Sequence, residues 1–372
     1  AATHVLLMDD DVLVLPESIY RTYMLLTVLR PEYHEYFISG AMLYYEEMYK
    51  QHEDIGILRC REGVCHPLKP EFFHSRLKDN LMNEADFYGY SNKYAAWWYC
   101  CIPASNIRKN GLPLPLFVRC DDIEYSLRCK ADIVTMNGIC IWHMGFVNKF
   151  NAVFDRYQSY RNLFIGNAVN RFAGVDIFSF WRRSFNVELM RFNYDAAELL
   201  LKALEDYMRG PEFIEQNDGE QILNENVKKN QRMVPLSELN IGEIDLENLY
   251  NDWPRKFIDK CIYHATKNGQ RFWLENWLRK EKMAIPFDGG IVTQKQTLRK
   301  TLVFVNPHLK TGAIQEIDKK RFQELYKRYK RDIREYKKKN EDVEKAYRNR
   351  SEYLVSEEFW EKYLDVSFAK EE

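Results

Sequence analysis

The chain has 372 residues, of which 46% are hydrophobic and 29% are charged, as is usual for a soluble globular protein with room for two domains. Its formal net charge of −1 argues against a molecule built as a whole to bind nucleic acid. The eight cysteines lack the paired spacing of a zinc ribbon, and no apolar run reaches about 18 residues. These features predict a protein of a reducing, cytosolic compartment without a membrane-spanning segment.

Residues 1–150 mix short apolar and amphipathic segments, a pattern typical of an α/β domain. The elements predicted here are a strand over 5–8, a helix over 16–29, strands over 55–59 and around residue 102, a helix over 123–131, and strands over 133–136 and 139–142. Asn137-Gly138, between the last two strands, is a typical hairpin turn. Because Ala1 lies directly before a core strand, we interpret it as an internal point of a longer protein.

Residues 151–372 are predicted to form a second, mainly helical domain. Its segments are helices over 152–231 with a break at Gly210-Pro211, irregular chain with a helix over 270–282, a short strand pair near 291–310, and a long helix near 318–348. We find no internal repeat and no Gly/Ser-rich linker.

The long helix near 318–348 is both amphipathic and basic. Apolar residues recur along it with the 3.6-residue helical period: Phe322, Leu325, Tyr326, Tyr329, Ile333 and Tyr336. Over 313–350 there are 14 basic and 8 acidic residues, a net charge of +6 by subtraction. Two interpretations stay open: the helix lies on an anionic membrane surface, or it packs on the protein and turns a solvated face outward.

Three consecutive aspartates, Asp9, Asp10 and Asp11, follow the apolar run that ends at Met8. In extended chain, Asp9 and Asp11 point to one side and Asp10 to the other. Paired carboxylates on one face suit Mg²⁺ or Mn²⁺, which retain open positions for substrate phosphates. A solvated acidic turn is the alternative, so the interpretation depends on partners elsewhere in the chain.

A second acidic cluster, Asp121-Asp122, also follows an apolar run, and we expect it at the end of a strand. One shared site would then use the first cluster for a metal and the second for a general base; ordinary capping of a helix start is the alternative. His143 ends a predicted strand and is a candidate third ligand, which would favour Mn²⁺ over Mg²⁺.

Adjacent tryptophans, Trp97 and Trp98, precede the predicted strand around residue 102. Neighbours in extended chain point to opposite sides, so at least one of them should face a cleft or an interface. Indole rings pack on the apolar faces of sugars, which makes a glycan subsite one interpretation and a core position the other.

These motifs together match one group of glycosyltransferases in order and spacing. The matching segments are Met8-Asp9-Asp10-Asp11, 97–103, 112–128, Ile141-Trp142-His143-Met144 and, more weakly, Gly210-Pro211-Glu212. The chain resembles, over essentially its whole length, the polymerising galactofuranosyltransferases of glycosyltransferase family 2. The resemblance implies the C-terminal half of a GT-A (Rossmann-like) catalytic domain, an α/β fold, followed by a mainly helical C-terminal domain. By the same resemblance, the uracil-binding half and an N-terminal β-rich domain lie outside this chain.

The resemblance also implies roles for individual residues. Asp9, Asp11 and His143 correspond to ligands of Mn²⁺ or Mg²⁺, and Asp122 corresponds to the catalytic base. The implied substrate-binding residues are Asp10 for the nucleotide ribose or for support of the metal ligands, Asp121 for acceptor or donor hydroxyls, Trp97 and Trp98 for the acceptor path, and Glu53, next to His52, for donor or acceptor.

The implied activity is inverting, metal-dependent transfer of galactofuranose from UDP-galactofuranose to a lipid-linked or polysaccharide acceptor in cell-envelope glycan synthesis. The implied location is cytoplasmic and peripheral on the inner face of the cell membrane, and a homo-oligomer is left open. Alternatives are a family 2 enzyme that uses a rhamnosyl or glucosyl nucleotide, a metal-dependent phosphoesterase or nuclease, and a non-catalytic membrane-peripheral scaffold. A two-metal phosphoesterase would usually need more acidic or histidine ligands than this sequence offers.

Overall fold

The computed structural model describes residues 2–59, 64–85, 89–146, 150–242, 244–251, 257–271, 278–288 and 293–368, and it shows a mixed α/β protein. The strands of the first half are β1 (His4–Met8), β2 (Leu13–Val14), β3 (Phe37–Ser39), β4 (Ala41–Tyr44), β5 (Gln51–Glu53), β6 (Gly56–Arg59), β7 (Val64–Pro67), β8 (Lys93–Tyr94), β9 (Tyr99–Pro103), β10 (Ile133–Val134) and β11 (Cys140–His143). They form three sheets, ordered β1-β9-β3-β10, β2-β11-β4-β5 and β7-β6-β8. The mixed α/β class is confirmed, whereas the GT-A layout and the domain boundary near residue 150 stay predictions.

Strand β9 organises the first sheet, because β1 and β3 pair antiparallel with it on either side. Every residue of β9 is buried, and Leu6 of β1 lies opposite Cys101 of β9. Strand β1 agrees with the prediction over 5–8 and ends at Met8, so the three aspartates follow at the end of this sheet.

The predicted hairpin around Asn137-Gly138 is wrong. Strand β10 pairs in parallel with β3, and β11 pairs in parallel with β4, so the two strands belong to different sheets. The break between β3 and β4 falls at Gly40, where a Cβ atom would come within 2.6 Å of the Tyr99 ring. The turn residues are present, but each strand finds its partner about a hundred residues earlier in the chain.

The helices of the first half are α1 (Pro16–Val28), α2 (Leu77–Asn83), α3 (Ala104–Asn110) and α4 (Asp121–Cys129). Helix α1 begins at Pro16 as predicted, but it buries polar residues. Thr22 Oγ1 lies 2.7 Å from the Tyr99 hydroxyl, and Ser18 Oγ donates to the Cys140 carbonyl at 2.7 Å. The exposed apolar residues of α1 are Ile19, Tyr20, Tyr23, Met24 and Val28.

The second half is mainly helical in the described residues. A π-helical segment, Val153–Gln158, leads into α5 (Ser159–Asn170), α6 (Ile177–Met190), α7 (Tyr194–Tyr207), α8 (Pro211–Gln216), α9 (Gly219–Val227), α10 (Phe257–Thr266), α11 (Thr293–Gln296), α12 (Lys319–Leu354) and α13 (Glu357–Leu364). The predicted break at Gly210-Pro211 is present, with Gly210 at a φ of +84° and Pro211 opening α8. None of the helices in the described part of the chain combines the length and apolar character of a membrane crossing.

The apolar stripe of α12 packs on the protein. Tyr329 stacks on Phe185 with ring centroids 4.2 Å apart, and Tyr336 stacks on Phe178 at 4.0 Å. Phe322 is 2% exposed in the same core. Of the two interpretations of the helix, the packed one describes this stripe. Some basic residues of α12 are exposed to solvent, whereas Arg321 and Arg328 pair with acidic residues of α7.

A four-stranded sheet completes the second half. It contains β12 (Val234–Pro235), β13 (Met283–Pro286), β14 (Thr301–Asn306) and β15 (Thr311–Glu316), in the order β12-β15-β14-β13. The strand pair expected near 291–310 is β14 and β15, so it lies about ten residues later than predicted and belongs to a larger sheet. The helix predicted over 270–282 is absent from residues 278–282, and 272–277 lie outside the described residues.

Candidate active site

The three aspartates form the connection between the first two sheets. Asp9, Asp10 and Asp11 are all exposed and lie between β1 and β2. Strand β2 pairs with β11, with Leu13 opposite Trp142. This pairing carries the chain from Asp11 directly to the end of β11, where His143 lies.

His143 is positioned as a metal ligand. It is 5% exposed, and its Nδ1 lies 2.6 Å from the Met144 carbonyl oxygen. Because a carbonyl can only accept, Nδ1 donates this hydrogen bond, and the other nitrogen can then carry a lone pair. That nitrogen, Nε2, lies 3.3 Å from Asp11 Oδ1.

Asp9, Asp11 and His143 converge, with one ligand atom from each lying within 4.8 Å of the others. Two hard carboxylate oxygens and an imidazole nitrogen fit a divalent cation, and the imidazole favours Mn²⁺ over Mg²⁺. Asp10, between the two acidic ligands, is exposed at the same turn. The structure therefore brings together the ligand set that the motifs predicted, while the binding of a metal stays a prediction.

The second acidic cluster opens helix α4, so the expectation of a strand end is wrong. The loop before it turns sharply, with Phe117, Arg119 and Cys120 at positive φ. Asp121 and Asp122 are the first two residues of α4, and the Ile123 amide donates to Asp122 Oδ1 at 2.7 Å. The cluster therefore lies at a helix start, as the alternative interpretation expected, but the N-cap residue is Cys120 and no side chain caps the helix.

A buried amide that the motifs did not reveal holds this loop. Asn162 of α5 is fully buried, and its Nδ2 donates to the carbonyls of Leu116, Val118 and Arg119 at 3.1, 2.9 and 2.7 Å. These bonds replace the strand ladder that the apolar run had suggested. Nothing in the local sequence marks Asn162, which lies about forty residues beyond the loop.

The electrostatics link the two acidic clusters. Burial and the neighbouring Asp121 carboxylate raise the pKa of Asp122, while the Arg119 guanidinium opposes the rise. Burial also raises the pKa of Asp121, and the Asp9 carboxylate adds to the rise at both residues. The Asp9 carboxylate is therefore within electrostatic range of the start of α4, and a site shared by the two clusters stays a prediction.

Glu53 is a further buried carboxyl within electrostatic range of Asp122. It ends β5 and is 4% exposed. Burial raises the pKa of Glu53 to about 8, with the Asp122 and Asp54 carboxylates adding to the rise. The loose resemblance at His52-Glu53 thus led to a carboxyl that interacts electrostatically with Asp122. The burial of Glu53 was not predicted.

The two tryptophans contact different groups of residues, and they lie in a turn before β9, not in the extended chain that the sequence predicted. The Trp98 ring lies 6.2 Å from that of His52 and 6.1 Å from that of Phe146, and Phe146 lies 5.2 Å from His143. Trp98 therefore borders the candidate metal site. Trp97 packs on Tyr125 at 5.7 Å, on the side of a separate apolar cluster.

Two galactofuranosyltransferases are similar to this chain. Galactofuranosyltransferase GlfT2 of Mycolicibacterium smegmatis is 29% identical over 228 residues. The match covers 56% of this chain and 34% of that protein. Galactofuranosyltransferase GlfT2 of Mycobacterium tuberculosis is 27% identical over 224 residues. That match covers 56% of this chain and 35% of the relative. The resemblance to galactofuranosyltransferases is confirmed, but these matches cover 56% of the chain and not essentially its whole length.

The similarity has clear bounds. The chain spans about a third of the length of the curated relatives it matches. No family model matches it. The roles of the individual site residues therefore depend on the geometry described above and stay predictions.

Proposed function

We propose that the protein is an inverting, metal-dependent glycosyltransferase of the GT-A type. In this proposal it transfers galactofuranose from UDP-galactofuranose to a lipid-linked or polysaccharide acceptor in cell-envelope glycan synthesis. The observation that carries the proposal is the convergence of Asp9, Asp11 and His143, and the effect of the Asp9 carboxylate on the pKa of Asp121 and Asp122 supports it. The similarity to proteins named galactofuranosyltransferase supports the choice of sugar.

The ligand set has a defined task in this reaction. Asp9, Asp11 and His143 would hold Mn²⁺ or Mg²⁺, which when bound neutralises charge on the departing diphosphate. The hydrogen bond from Nδ1 to the Met144 carbonyl fixes the His143 ring and keeps Nε2 aimed at Asp11. Asp10 is placed to contact the nucleotide ribose from the same turn.

Asp122 is proposed as the general base. It takes the proton of the acceptor hydroxyl while that oxygen attacks the anomeric carbon, and the single displacement inverts the anomeric centre. A base is most effective when its pKa lies near the working pH, and burial together with Asp121 moves the pKa of Asp122 upward in that direction. The Ile123 amide holds one oxygen in place, leaving the other for the substrate.

The remaining residues are proposed to bind substrate. Trp98, with His52 and Phe146, forms an aromatic wall next to His143 that suits the apolar face of an acceptor sugar. Asp121 is proposed to contact sugar hydroxyls next to Asp122, and Glu53 is proposed to contact the donor or the acceptor. Trp97, although packed on Tyr125, keeps its proposed place along the acceptor path.

The proposal is tested by transfer assays with Mn²⁺ and a panel of UDP-galactofuranose, UDP-glucose and a rhamnosyl nucleotide. We expect transfer of galactofuranose, loss of roughly 10²–10⁴-fold in turnover in Asp122→Asn with metal binding retained, and loss of both in Asp11→Ala. Asp132→Asn, an exposed acidic control, should leave turnover unchanged.

Other outcomes would each reject a defined part of the proposal. Transfer from a different donor alone would reject galactofuranose as the sugar. Metal-dependent hydrolysis of a phosphoester without transfer would reject the reaction class. Full function in both aspartate variants would indicate a scaffold.

We propose a peripheral location on the cytoplasmic face of the cell membrane, where lipid-linked acceptors are extended. The outward face of α12 carries exposed basic side chains: Lys320, Lys327, Lys330, Arg334, Lys337 and Lys338. Since the apolar stripe of α12 is buried, attachment through this helix would be electrostatic and sensitive to salt.

A further inference from the structure

A pocket on the first half of the chain is lined by none of the metal-ligand candidates and by neither Asp121 nor Asp122. Its volume is about 320 Å³, within the range of about 300–1,000 Å³ typical of small-molecule sites. Trp142, Leu43 and Met48 provide apolar lining, and Gln51 and Asp54 are among the polar lining residues. The function proposed above makes no use of this pocket.

The pocket and the candidate metal site lie on opposite faces of one sheet. Trp142 and His143 are consecutive in β11, so their side chains point to opposite sides. Trp142 lies opposite Leu43 in the register of β11 and β4, and Cys140 lies opposite Ala41; all four line the pocket. The indole of Trp142 also donates to the Met48 carbonyl at 2.9 Å, which fixes the turn that forms the rim.

The polar side of the pocket is a closed ring of hydrogen bonds. Gln51 donates to Asn83 at 3.0 Å, Asn83 donates to Asn137 at 2.8 Å, and Asn137 donates to the Asn80 carbonyl at 2.9 Å. His74 closes the ring, with Nδ1 2.7 Å from Asn80 Oδ1 and Nε2 2.7 Å from Gln51 Oε1. Because the ring fixes each amide, these side chains form an ordered surface of donors and acceptors.

The charges beside the pocket are already neutralised. Asp54 accepts a hydrogen bond from the buried Lys69, whose ammonium also donates to the Asn83 carbonyl at 2.8 Å and to Thr135 Oγ1 at 3.2 Å. Those three bonds use all three donors of the ammonium. The described residues that line the pocket include no lysine or arginine.

One carboxylate belongs to the pocket wall. Asp54 is 2% exposed, and its carboxylate is held by the Lys69 ammonium. An indole, amides and one carboxylate together match the apolar faces and hydroxyl edges of a neutral sugar.

We propose that this pocket binds a neutral sugar residue of the growing glycan, at a second site across the sheet from the metal-ligating histidine. The inference depends on the proposed function for the identity of the glycan, but the chemistry of the pocket is independent of it. A glycan long enough to occupy both sites would dissociate more slowly than one held at the catalytic cleft alone, because the second contact becomes intramolecular.

Ala41→Leu tests the proposal, since it fills the pocket from β4 without removing a member of the hydrogen-bonded ring. Binding of an oligosaccharide of galactofuranose units would be measured by ligand-observed NMR in Asp122→Asn, with and without Ala41→Leu. We expect the second binding event to disappear in the double variant. In the active protein, Ala41→Leu should raise the KM of long acceptors by at least about tenfold and leave kcat and the KM of short acceptors unchanged.

A second variant tests the pocket independently, so that the test does not depend on correct folding of Ala41→Leu. Tyr49→Ala removes an exposed wall of the pocket and should weaken the second binding event, whereas Tyr20→Ala, an equally exposed tyrosine on α1, should not. Unchanged oligosaccharide binding in both pocket variants would overturn the proposal, as would binding of UMP in place of the sugar. Loss of oligosaccharide binding in a protein that transfers no sugar would support the pocket and reject only the proposed function.

Discussion

Glu53 shows how one residue connects the site with the stability of the fold. Its carboxyl is buried next to Tyr94 and within electrostatic range of Asp122, where the ionised form is disfavoured. An acid with a raised pKa stabilises the fold while it is neutral. That contribution is complete below the ordinary value of 4.5 and is lost as the pH rises through about 8.

We therefore expect the free energy of unfolding to fall between pH 6 and pH 9, and Glu53→Gln to reduce that fall. The amide retains an acceptor for Tyr94 and cannot ionise. The effect is at most about 1.4 kcal/mol for each unit by which the pKa is raised. Urea unfolding at both pH values provides the measurement, and Glu352→Gln, on the exposed face of α12, is the control. A pH dependence identical to that of the parent protein would show that Glu53 is ionised in the fold.

At the scale of the element, Gly40 separates the first two sheets. The Tyr99 ring packs directly against it, and the Tyr99 hydroxyl lies 2.7 Å from Thr22 Oγ1 of α1. A methyl group at Gly40 would displace a ring that is held at its far end. The position of α1 therefore depends on a residue without a side chain.

Gly40→Ala is expected to lower the free energy of unfolding by about 1–3 kcal/mol, the usual cost of overpacking. Thermal unfolding measures this loss. Gly242→Ala is the matched control, because a Cβ at Gly242 meets nothing within 4 Å. Equal melting temperatures for the two variants would mean that Tyr99 moves aside without cost.

Elements defined by a local pattern could be predicted from the sequence, and those defined by distant partners could not. The strand before Asp9, the helix that begins at Pro16 and the long helix α12 follow from apolar spacing and end signals. The hairpin at Asn137-Gly138 failed because β10 and β11 pair with strands near residue 40.

The candidate site divides in the same way. The grouping of Asp9, Asp11 and His143 followed from the order of the motifs, and the structure brings these residues together. The strand end expected at Asp121-Asp122 failed because the buried Asn162 holds the preceding loop in another conformation. A contact between residues about forty positions apart cannot be recognised from the sequence around either of them.

At the scale of the whole molecule, charge is distributed unevenly although its sum is close to zero. The formal net charge is −1, while 313–350 carries +6. Ion pairs on α12 with Glu205 and Glu215 neutralise Arg328 and Arg350. The six basic residues of its outward face named above remain exposed to a potential partner.

Replacing Lys327, Lys330 and Arg334 with glutamine is expected to weaken binding to anionic vesicles by about 1 kcal/mol per residue at low salt. Flotation with phosphatidylglycerol vesicles measures the change, and neutral phosphatidylcholine vesicles should bind neither form. The control is the same charge change at Lys78, Arg108 and Lys109, which are exposed on the first half. Equal weakening in both triple variants would indicate a general charge effect, and no weakening in either would exclude α12 as the attachment surface.

Because the side chains of β11 alternate between the two faces of the sheet, the register of β11 against β4 decides which residue faces each side. A slip of one residue against β4 would turn the indole of Trp142 toward Asp11 and the imidazole of His143 toward the amide-lined pocket. Two binding surfaces would be lost in a single error, although no residue had been replaced. Changes in the turn that leads into this strand could therefore inactivate the protein from a distance, with every motif intact.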